Sequence, residues 1–497
     1  MYRFVNFLKD STRLYRFRKF LLLLSAFLIL DIFFIVSNAF PQQKADVGSN
    51  LMYGGRPQFK ILRSDEDWSV LKDIPKSQRT DFWDSIKYIP LNDSGLIYLS
   101  FGGETRQHFE SIRNENWGAG VEDNNGWYLQ RYLLHADLHV GDRFRLFSEI
   151  QSGIETGRSA GPRGVDEDRL DLHQLFLDFS PGSGKNKNLT IRVGRQEIIF
   201  GSRRFFNYRE RPNLRLSHDA VKLKAKAGRT DFTAFAGRPV QIDRDYFDNN
   251  SGNEHSFWGL YSVTDVDWTF PQKVDLYYIG LNREQASFDQ GTANEIRQSI
   301  GTRLSGKHGA LDYNFEFVFQ FGSFGDSTIS AYALASDTGY TWALGAESKI
   351  RFSLRADVYS GDDDPNNGDL NAFNPIFPKG KHISQLAATG LINQRDLQPK
   401  INIQFNRYWS LTLSTEFIWR DSLDDGIYSI GNGLLRTGQT SRARYVGTQP
   451  EVELKWQVDR HLDIKGIFIF FDAGPFIREN PPGNDITYLG TMATYRF

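Results

Sequence analysis

The sequence predicts an all-β fold, a single antiparallel transmembrane β-barrel with a water-filled lumen lined by charged residues. Three observations predict this fold. Apolar and polar residues alternate with a period of two in segments spread over the chain. Pieces rich in Gly, Pro, Asn and Asp separate these segments. The last strand-like segment ends on a terminal aromatic residue, Phe497.

The first 39 residues have the order of a secretory signal peptide. Several basic residues precede an apolar run at 20–36, and the small residues Ser37 and Ala39 follow it. A membrane anchor is the alternative, but Asp31 interrupts the run, which is shorter than the ~20 residues of a spanning helix. The predicted division of the chain is a signal peptide, an N-terminal segment leading into the barrel, and the barrel itself, over 1–39, 40–95 and 96–497.

The clearest predicted strand lies at 311–321, with the sequence LDYNFEFVFQF. Leu, Tyr and Phe occupy one parity of this segment, and Asp, Asn, Glu and Gln dominate the other. A soluble β-sandwich also alternates, but a uniformly aromatic face opposite a polar face fits lipid outside and water inside better. The same alternation recurs at 144–152, 221–227, 401–405, 411–419 and 452–458.

Aromatic residues mark the ends of the strands and of the chain. Trp409, Trp419 and Trp456 lie near strand ends, as in the girdles at the two membrane interfaces. Tyr495 and Phe497 share a parity, which resembles the C-terminal signal read by the barrel-assembly machinery of outer membranes. We therefore expect outer-membrane lipid and this machinery as partners. At ~10 residues per strand, the mature chain would close with roughly 16 to 20 strands.

Composition and motifs exclude several kinds of site. The chain has no cysteine, which excludes disulfides, a cysteine nucleophile and thiolate metal ligands. Its formal net charge of -1 provides no global basic field for nucleic acid. No HExxH pair or phosphate-binding glycine motif is present, so we expect neither an enzyme nor a cofactor. An outer-membrane lipase or protease is the alternative, because its site would assemble from distant strands.

Basic residues are concentrated between Arg192 and Lys226. This window has ten basic and three acidic residues, a local net charge of +7. Such charges would cost about 2 to 4 kcal/mol each on a lipid-facing position near the midplane, so the strand-borne ones should face the lumen. A planar guanidinium binds a carboxylate through two parallel hydrogen bonds, which suits repeated uronate groups. The alternative is that these arginines pair with lumenal acids and fill the barrel interior.

Two further patterns raise the question of a metal. Histidines alternate with polar residues in ETRQHFE (104–110) and RYLLHADLH (131–139), but this spacing without a third ligand favours a water-lined wall. The acidic loop at 362–369 offers oxygen ligands for Ca²⁺, but it lacks the terminal glutamate of a twelve-residue calcium loop. An exposed turn is favoured, and we expect no metal site.

The run from 126 to 224 resembles the alginate-export family of outer-membrane proteins. The stretch at 65–91 fits as well, and the match becomes diffuse after about Pro239. The matching pieces are GWYLQRYLLHADLHVGDRFRLFSEIQSG (126–153), GPRGVDEDRLDLHQLFLDF (161–179), IRVGRQEIIFGSRR (191–204), RERPNLR (209–215) and DAVKLK (219–224).

The resemblance implies a monomeric barrel of about eighteen strands, with an arginine-rich constriction for a polyanion. Together with strand parity, it gives a set of basic lumen candidates for contact with the solute: Arg106, Arg131, Arg145, Arg169, Arg192, Arg195, Lys222 and Lys224. The predicted lumenal counter-charges are Glu104, Asp166, Asp168, Asp171 and Glu197. Arg195 lies on the opposite phase from Arg192, so it needs a β-bulge at Gly194 to point inward.

The expected function is an outer-membrane channel that exports an anionic polysaccharide such as alginate. Acidic polysaccharide or another anionic solute is then the expected partner, with periplasmic export components as further candidates. The alternative is an anion-preferring uptake porin for small acids or acidic oligosaccharides. Fixed positive charges in the lumen would serve either transport direction.

Overall fold

The computed structural model describes residues 56–182, 188–268 and 270–497 and has a closed antiparallel barrel of 18 strands. The predicted fold class is confirmed. The predicted signal peptide over 1–39 lies outside the described residues. The barrel strands are β1 (Ile97–Arg113), β2 (Trp127–Val140), β3 (Phe144–Thr156), β4 (Asp168–Phe179), β5 (Leu189–Gln196), β6 (His218–Ala227), β7 (Thr230–Gln241), β8 (His255–Asp265), β9 (Lys273–Phe288), β10 (Gly291–His308), β11 (Leu311–Phe324), β12 (Ser327–Ala343), β13 (Lys349–Tyr359), β14 (Gln394–Gln404), β15 (Trp409–Arg420), β16 (Tyr445–Gln457), β17 (Leu462–Ala473) and β18 (Ile486–Arg496).

The barrel closes where β1 pairs with β18, for example Glu104 opposite Arg496. Each strand otherwise pairs with its neighbours in the sequence. The remaining elements are short. They are the helices Asp84–Lys87 and Pro475–Arg478, the two- or three-residue strands Ile89–Pro90, Asn250–Ser251, Asp369–Leu370, Ile427–Tyr428 and Leu434–Arg436, and the 3₁₀ turns Arg63–Asp65, Ser69–Lys72, Lys76–Gln78, Glu115–Gly118 and Gly438–Thr440.

Alternating side chains give the wall an apolar outside and a polar inside. On β11, Glu316 and Gln320 are buried toward the lumen, while Phe317 and Phe319 lie on the opposite face. The outward positions of other strands expose large apolar side chains, such as Val193 at 50%. This exposure of apolar groups is favourable only against lipid. Within residues 56–182, 188–268 and 270–497, no helix is long and apolar enough to cross a membrane.

The two ends of the barrel differ in their connections. Tight turns such as 228–229 and 309–310 join strands at one end, and long loops at 197–217, 360–393 and 421–444 join them at the other. In outer-membrane barrels the short turns are periplasmic and the long loops extracellular. The long-loop end is therefore assigned to the cell exterior.

Two of the long loops fold into the lumen. We call residues 197–217 the first inward loop and residues 360–393 the second inward loop. They meet at a bridge between Phe206 and Phe377, whose ring centroids are 5.0 Å apart. Both rings join an apolar cluster with Phe257 of the barrel wall. The interior is therefore crossed by ordered polypeptide between opposite walls.

The N-terminal segment at 56–90 packs at the periplasmic mouth. The buried Arg63 guanidinium donates hydrogen bonds to the carbonyl oxygens of Gly103, at 2.8 Å, and of Phe497, at 2.7 Å. Trp83 stacks on Phe497, with ring centroids 4.2 Å apart. The segment is thus fastened to the seam between the first and last strands.

Candidate solute pathway in the lumen

A ladder of charged side chains crosses the periplasmic half of the wall. Arg145, Asp178, Arg192 and Lys222 are successive cross-strand neighbours on β3, β4, β5 and β6. Their parity faces the lumen because the alternate positions, such as Val221, carry exposed apolar side chains. The structure thus brings together three of the predicted basic lumen residues in one row.

The arginines of this ladder are held by carboxylates. Arg192 donates from Nε and Nη2 to the two oxygens of Asp178, at 2.6 and 2.7 Å. Arg145 donates in the same way to Asp137, at 2.7 and 2.8 Å. Such two-point pairs fix the guanidinium and neutralise most of its charge. For these two arginines, the structure agrees with the alternative given above, that they pair with lumenal acids.

Lys222 and Lys224 differ from the neighbouring arginines. Neither lysine has an ion pair within 4.0 Å anywhere in the described parts of the chain. Lys224 lines a cavity of about 490 Å³ together with Arg145 and Arg192. The N-terminal segment contributes Asp65 to the same cavity. Lysines without an ion pair therefore lie at the periplasmic mouth, with Asp65 as a nearby acid.

Arg106 and Arg131 bind the first inward loop. Arg131 is fully buried and donates to Glu104 at 2.6 Å and to Glu210 of the loop at 3.0 Å. Arg106 donates to the Glu210 carbonyl oxygen at 2.9 Å and to the Asn213 side chain at 3.1 Å. These two predicted lumen residues do face inward. Their hydrogen bonds are used to position the loop.

Three of the predicted counter-charges also hold loops. Asp166 accepts a hydrogen bond from the Asn213 backbone at 2.6 Å, at the base of the first inward loop. Asp168 and Asp171 accept hydrogen bonds from the side chain and backbone of Asn249, at 2.8 and 2.9 Å. The carboxylates thus anchor the extracellular loops to the top of β4.

Arg169 and Arg195 do not join the ladder. The Arg169 side chain is 56% exposed and pairs with Asp245 at 3.0 Å. The β-bulge that an inward Arg195 requires is absent, since the pairing of β5 with β4 and β6 runs through Gly194 without a register shift. Arg195 therefore keeps the parity of Val193 and pairs with Asp219 at 2.9 Å. The expectation that both line the lumen is corrected.

A second cavity lies between the second inward loop and the wall formed by β11 to β16. Its volume is about 530 Å³. Its basic lining residues are Arg204, Arg355, Lys379, Lys381 and Lys400, and its acidic ones are Asp312, Asp337, Glu451 and Glu453. None of these residues was predicted from the sequence as a site residue, because most of them lie beyond the family motifs, which end near Pro239. The alternation in KIRFSLRADVY (349–359) and the basic run PKGKH (378–382) are the signals that point to them.

Within the second cavity, Lys379 and Lys400 differ from the arginines and from Lys381, which pairs with Glu453. Arg355 donates to Glu416 and Arg204 to Glu316, at 2.6 and 2.7 Å. Lys379 and Lys400 have no ion pair within 4.0 Å among residues 56–182, 188–268 and 270–497. Burial and the nearby Arg203 lower the pKa of Lys379 to about 7. The cavity therefore contains two lysines without a bound carboxylate, and the charge of Lys379 changes near neutral pH.

The acidic loop at 362–369 forms a turn on the extracellular side. Asp362 is buried and accepts a hydrogen bond from the Asn371 backbone at 3.0 Å, while its own N–H donates to Asp425 at 2.9 Å. Further along the turn, the Asn366 N–H donates to Asp364 at 3.0 Å. These bonds are those of a turn that closes on its own backbone.

Known proteins provide two kinds of likeness. Among solved structures, the chain resembles OccK2 (OpdF) of Pseudomonas aeruginosa in complex with glucuronate, with a TM-score of 0.52, 10% identity, and 83% and 98% of the two chains covered. A BenF-like porin from Pseudomonas fluorescens Pf-5 has a TM-score of 0.52, 9% identity, and 80% and 98% covered. No curated protein sequence matches the chain.

The solved structures establish the porin-like fold alone, because their identities are low. The family model described as "Alginate export" matches residues 97–490, which is most of the chain. The resemblance and the predicted location are both confirmed. The chain therefore belongs to the alginate export family and is a channel-forming β-barrel of the bacterial outer membrane.

Proposed function

We propose that this barrel exports an acidic polysaccharide, alginate or a similar polyuronate, across the outer membrane. The observation that carries the proposal is the presence of lysines without carboxylate partners in both lumen cavities: Lys224 in the periplasmic one and Lys379 and Lys400 in the other. Membership of the alginate export family supports the same substrate class.

The division between arginine and lysine suits a moving polyanion. The paired arginines fix the loops and walls, since a two-point guanidinium–carboxylate contact is strong and rigid. The lysines are point charges on flexible stems, and a low-dielectric wall focuses their field into the passage. A transported chain must be bound weakly and repeatedly in order to leave each site. Separated lysines provide such contacts.

The uptake of small acids is the second candidate. It is favoured by the fold shared with OccK2, whose crystal structure holds glucuronate, a single uronate. Two inward loops also narrow the passage, as expected for a channel that selects small solutes. The two candidates differ in the length of the solute that the lumen binds, because a conduit for a polymer should bind several uronates at once.

The test is the reversal potential of the purified barrel in a planar bilayer under a salt gradient, with uronate monomers and oligomers added to either side. We expect anion preference, and block that strengthens with oligomer length. Replacing Lys379 and Lys400 by Gln should weaken both. Lys226→Gln is the matched control, because Lys226 is exposed and already paired with Asp231. A pore that is not anion-selective and is indifferent to uronates would refute the proposal, and block by monomers alone would favour uptake.

A further inference from the structure

A group of buried side chains faces the lumen outside the proposed solute pathway. Glu149 on β3, His173 on β4 and Glu197, the first residue of the first inward loop, each offer one ligand atom, and these atoms lie within 4.8 Å of one another. His135 on β2 lies beside them, with its Nδ1 3.5 Å from Glu149 Oε2. All four residues are at least 95% buried.

Several atoms of this group have no hydrogen-bond partner. Within the described residues, Glu149 Oε2, Glu197 Oε2 and His135 Nδ1 are buried and unsatisfied. A buried carboxylate oxygen without a partner is costly and uncommon in native proteins. Glu149 and Glu197, whose ligand atoms lie within 4.8 Å of each other and of His173, thus each have an unsatisfied carboxylate oxygen, which a shared ligand would satisfy.

The surrounding contacts orient the two carboxylates. Gln174 donates from Nε2 to Glu149 Oε1 at 2.9 Å, and its own Oε1 accepts from the Glu197 backbone at 3.0 Å. The Gln174 side-chain amide therefore holds both glutamates in place and leaves Glu149 Oε2 without a partner. Outer hydrogen bonds of this kind hold the ligands of metal sites in place.

We propose that Glu149, His173 and Glu197 bind one transition-metal ion, with the His135 imidazole beside Glu149. A mixed imidazole and carboxylate set suits Zn²⁺, whereas Ca²⁺ and Mg²⁺ prefer oxygen ligands alone. His173 and Glu197 now share a hydrogen bond of 2.9 Å, and the ion would take the place of its proton. The charges of the two carboxylates balance that of the divalent ion.

This site goes beyond transport. It would tie β3 and β4 to the base of the first inward loop, and so fix the loop that crosses the lumen. No metal site was predicted from the sequence, because the histidine spacing showed no third ligand. Folding brings in His173 and Glu197, which lie outside the two histidine runs considered there.

The experiment uses the full barrel, purified, stripped with a chelator and then incubated with Zn²⁺ or Ca²⁺. After desalting, the retained metal is measured by elemental mass spectrometry. We expect about one Zn²⁺ per chain, no retained Ca²⁺, and a higher unfolding temperature with zinc. His173→Asn and Glu149→Gln should each lower zinc affinity by roughly 10-fold or more.

His108→Asn is the matched control, because His108 is also buried and lies 3.6 Å from a carboxylate, that of Glu110. It should retain zinc like the wild type. Folding of each variant is checked by its heat-dependent gel mobility. Folded wild-type barrel that retains no zinc would overturn the proposal whatever the variants do. Equal zinc retention by the wild type and a folded His173→Asn barrel would also overturn it.

Discussion

The wall from β1 to β6 and the wall from β11 to β16 line the same lumen in different ways. The first carries the dense arginine motifs, and its arginines are mostly bound to acids or loops, as with Arg192 on Asp178. The second has a weaker motif signal but surrounds the larger described cavity, with Lys379 and Lys400 unpaired in the described chain. In both walls the lysines without ion pairs, and not the arginines, carry the charge available to a solute, so a high density of arginine in a sequence need not mark that charge.

The largest expected effect comes from removing the Arg131 side chain from the wall formed by β1 to β6. Arg131→Ala removes one cationic partner from the buried Glu104 and one from Glu210 of the first inward loop, and both carboxylates keep Arg215. Removing one partner of a buried ion pair costs about 3 to 5 kcal/mol. We expect a lower unfolding midpoint in urea and a larger, noisier single-channel conductance. Arg169→Ala, at an exposed pair, should change stability by at most about 1 kcal/mol.

The second prediction separates paired from unpaired charge. Replacing Arg192 by Gln and Asp178 by Asn together removes one ion pair and leaves the net charge unchanged. We expect the reversal potential to stay near that of the wild type. Replacing Lys379 and Lys400 by Gln removes two charges and should move it toward cations. A larger shift in reversal potential for the Arg192–Asp178 double variant than for the Lys379–Lys400 double variant would contradict this prediction.

The third prediction concerns pH. The pKa of Lys379 is lowered to about 7 by burial first, and then by Arg203 and the nearby Lys381 and Lys400. The side chain is therefore charged below this pH and neutral above it. Anion preference should fall as pH rises from 6 to 8, as measured by reversal potential. The Lys379→Gln barrel should show a flatter profile, and an unchanged slope in that variant would assign the titration to another group.

The smallest expected effect concerns the N-terminal segment. Burial tends to raise the pKa of Asp65, but the nearby Lys224 and Arg192 lower it overall, so the carboxylate is ionised and faces the basic mouth. Asp65→Asn should raise anion conductance slightly, by less than about twofold or about 0.4 kcal/mol, which lies within the range for an exposed charge pair. Asp73→Asn, on the same segment outside this cavity, is the control. A fall in anion conductance would show that Asp65 does not compete with the solute.

Strand parity predicted much of the fold and part of the site. It correctly turned Arg131, Arg145 and Arg192 inward, because uninterrupted strands keep a period of two. Arg169 was placed in the lumen by the resemblance, and its exposed side chain lies beside a register shift in the pairing of β3 with β4, between Gln151 and Gly153. A bulge resets parity, and sequence alternation alone does not locate it.

The inward loops could not be predicted from periodicity. The first inward loop has no alternation, and its position is set by side chains far away in the sequence, such as Arg106 and Arg131. The second inward loop is held by wall residues in the same way, as when Arg355 donates to the His382 carbonyl oxygen at 2.6 Å. Long-range contacts of this kind fix the cavities, so the second group of lysines emerged only from the fold.

The junction of Phe206 with Phe377 has a mechanical consequence. The backbone N–H of Asn207 donates to the Phe377 carbonyl oxygen at 2.9 Å, and that of Phe377 donates to Phe205 at 3.1 Å. The two loops start from different parts of the wall, and these hydrogen bonds join them into one unit across the lumen. Both loops contribute to this junction, so the width of the aperture is a shared property of the pair.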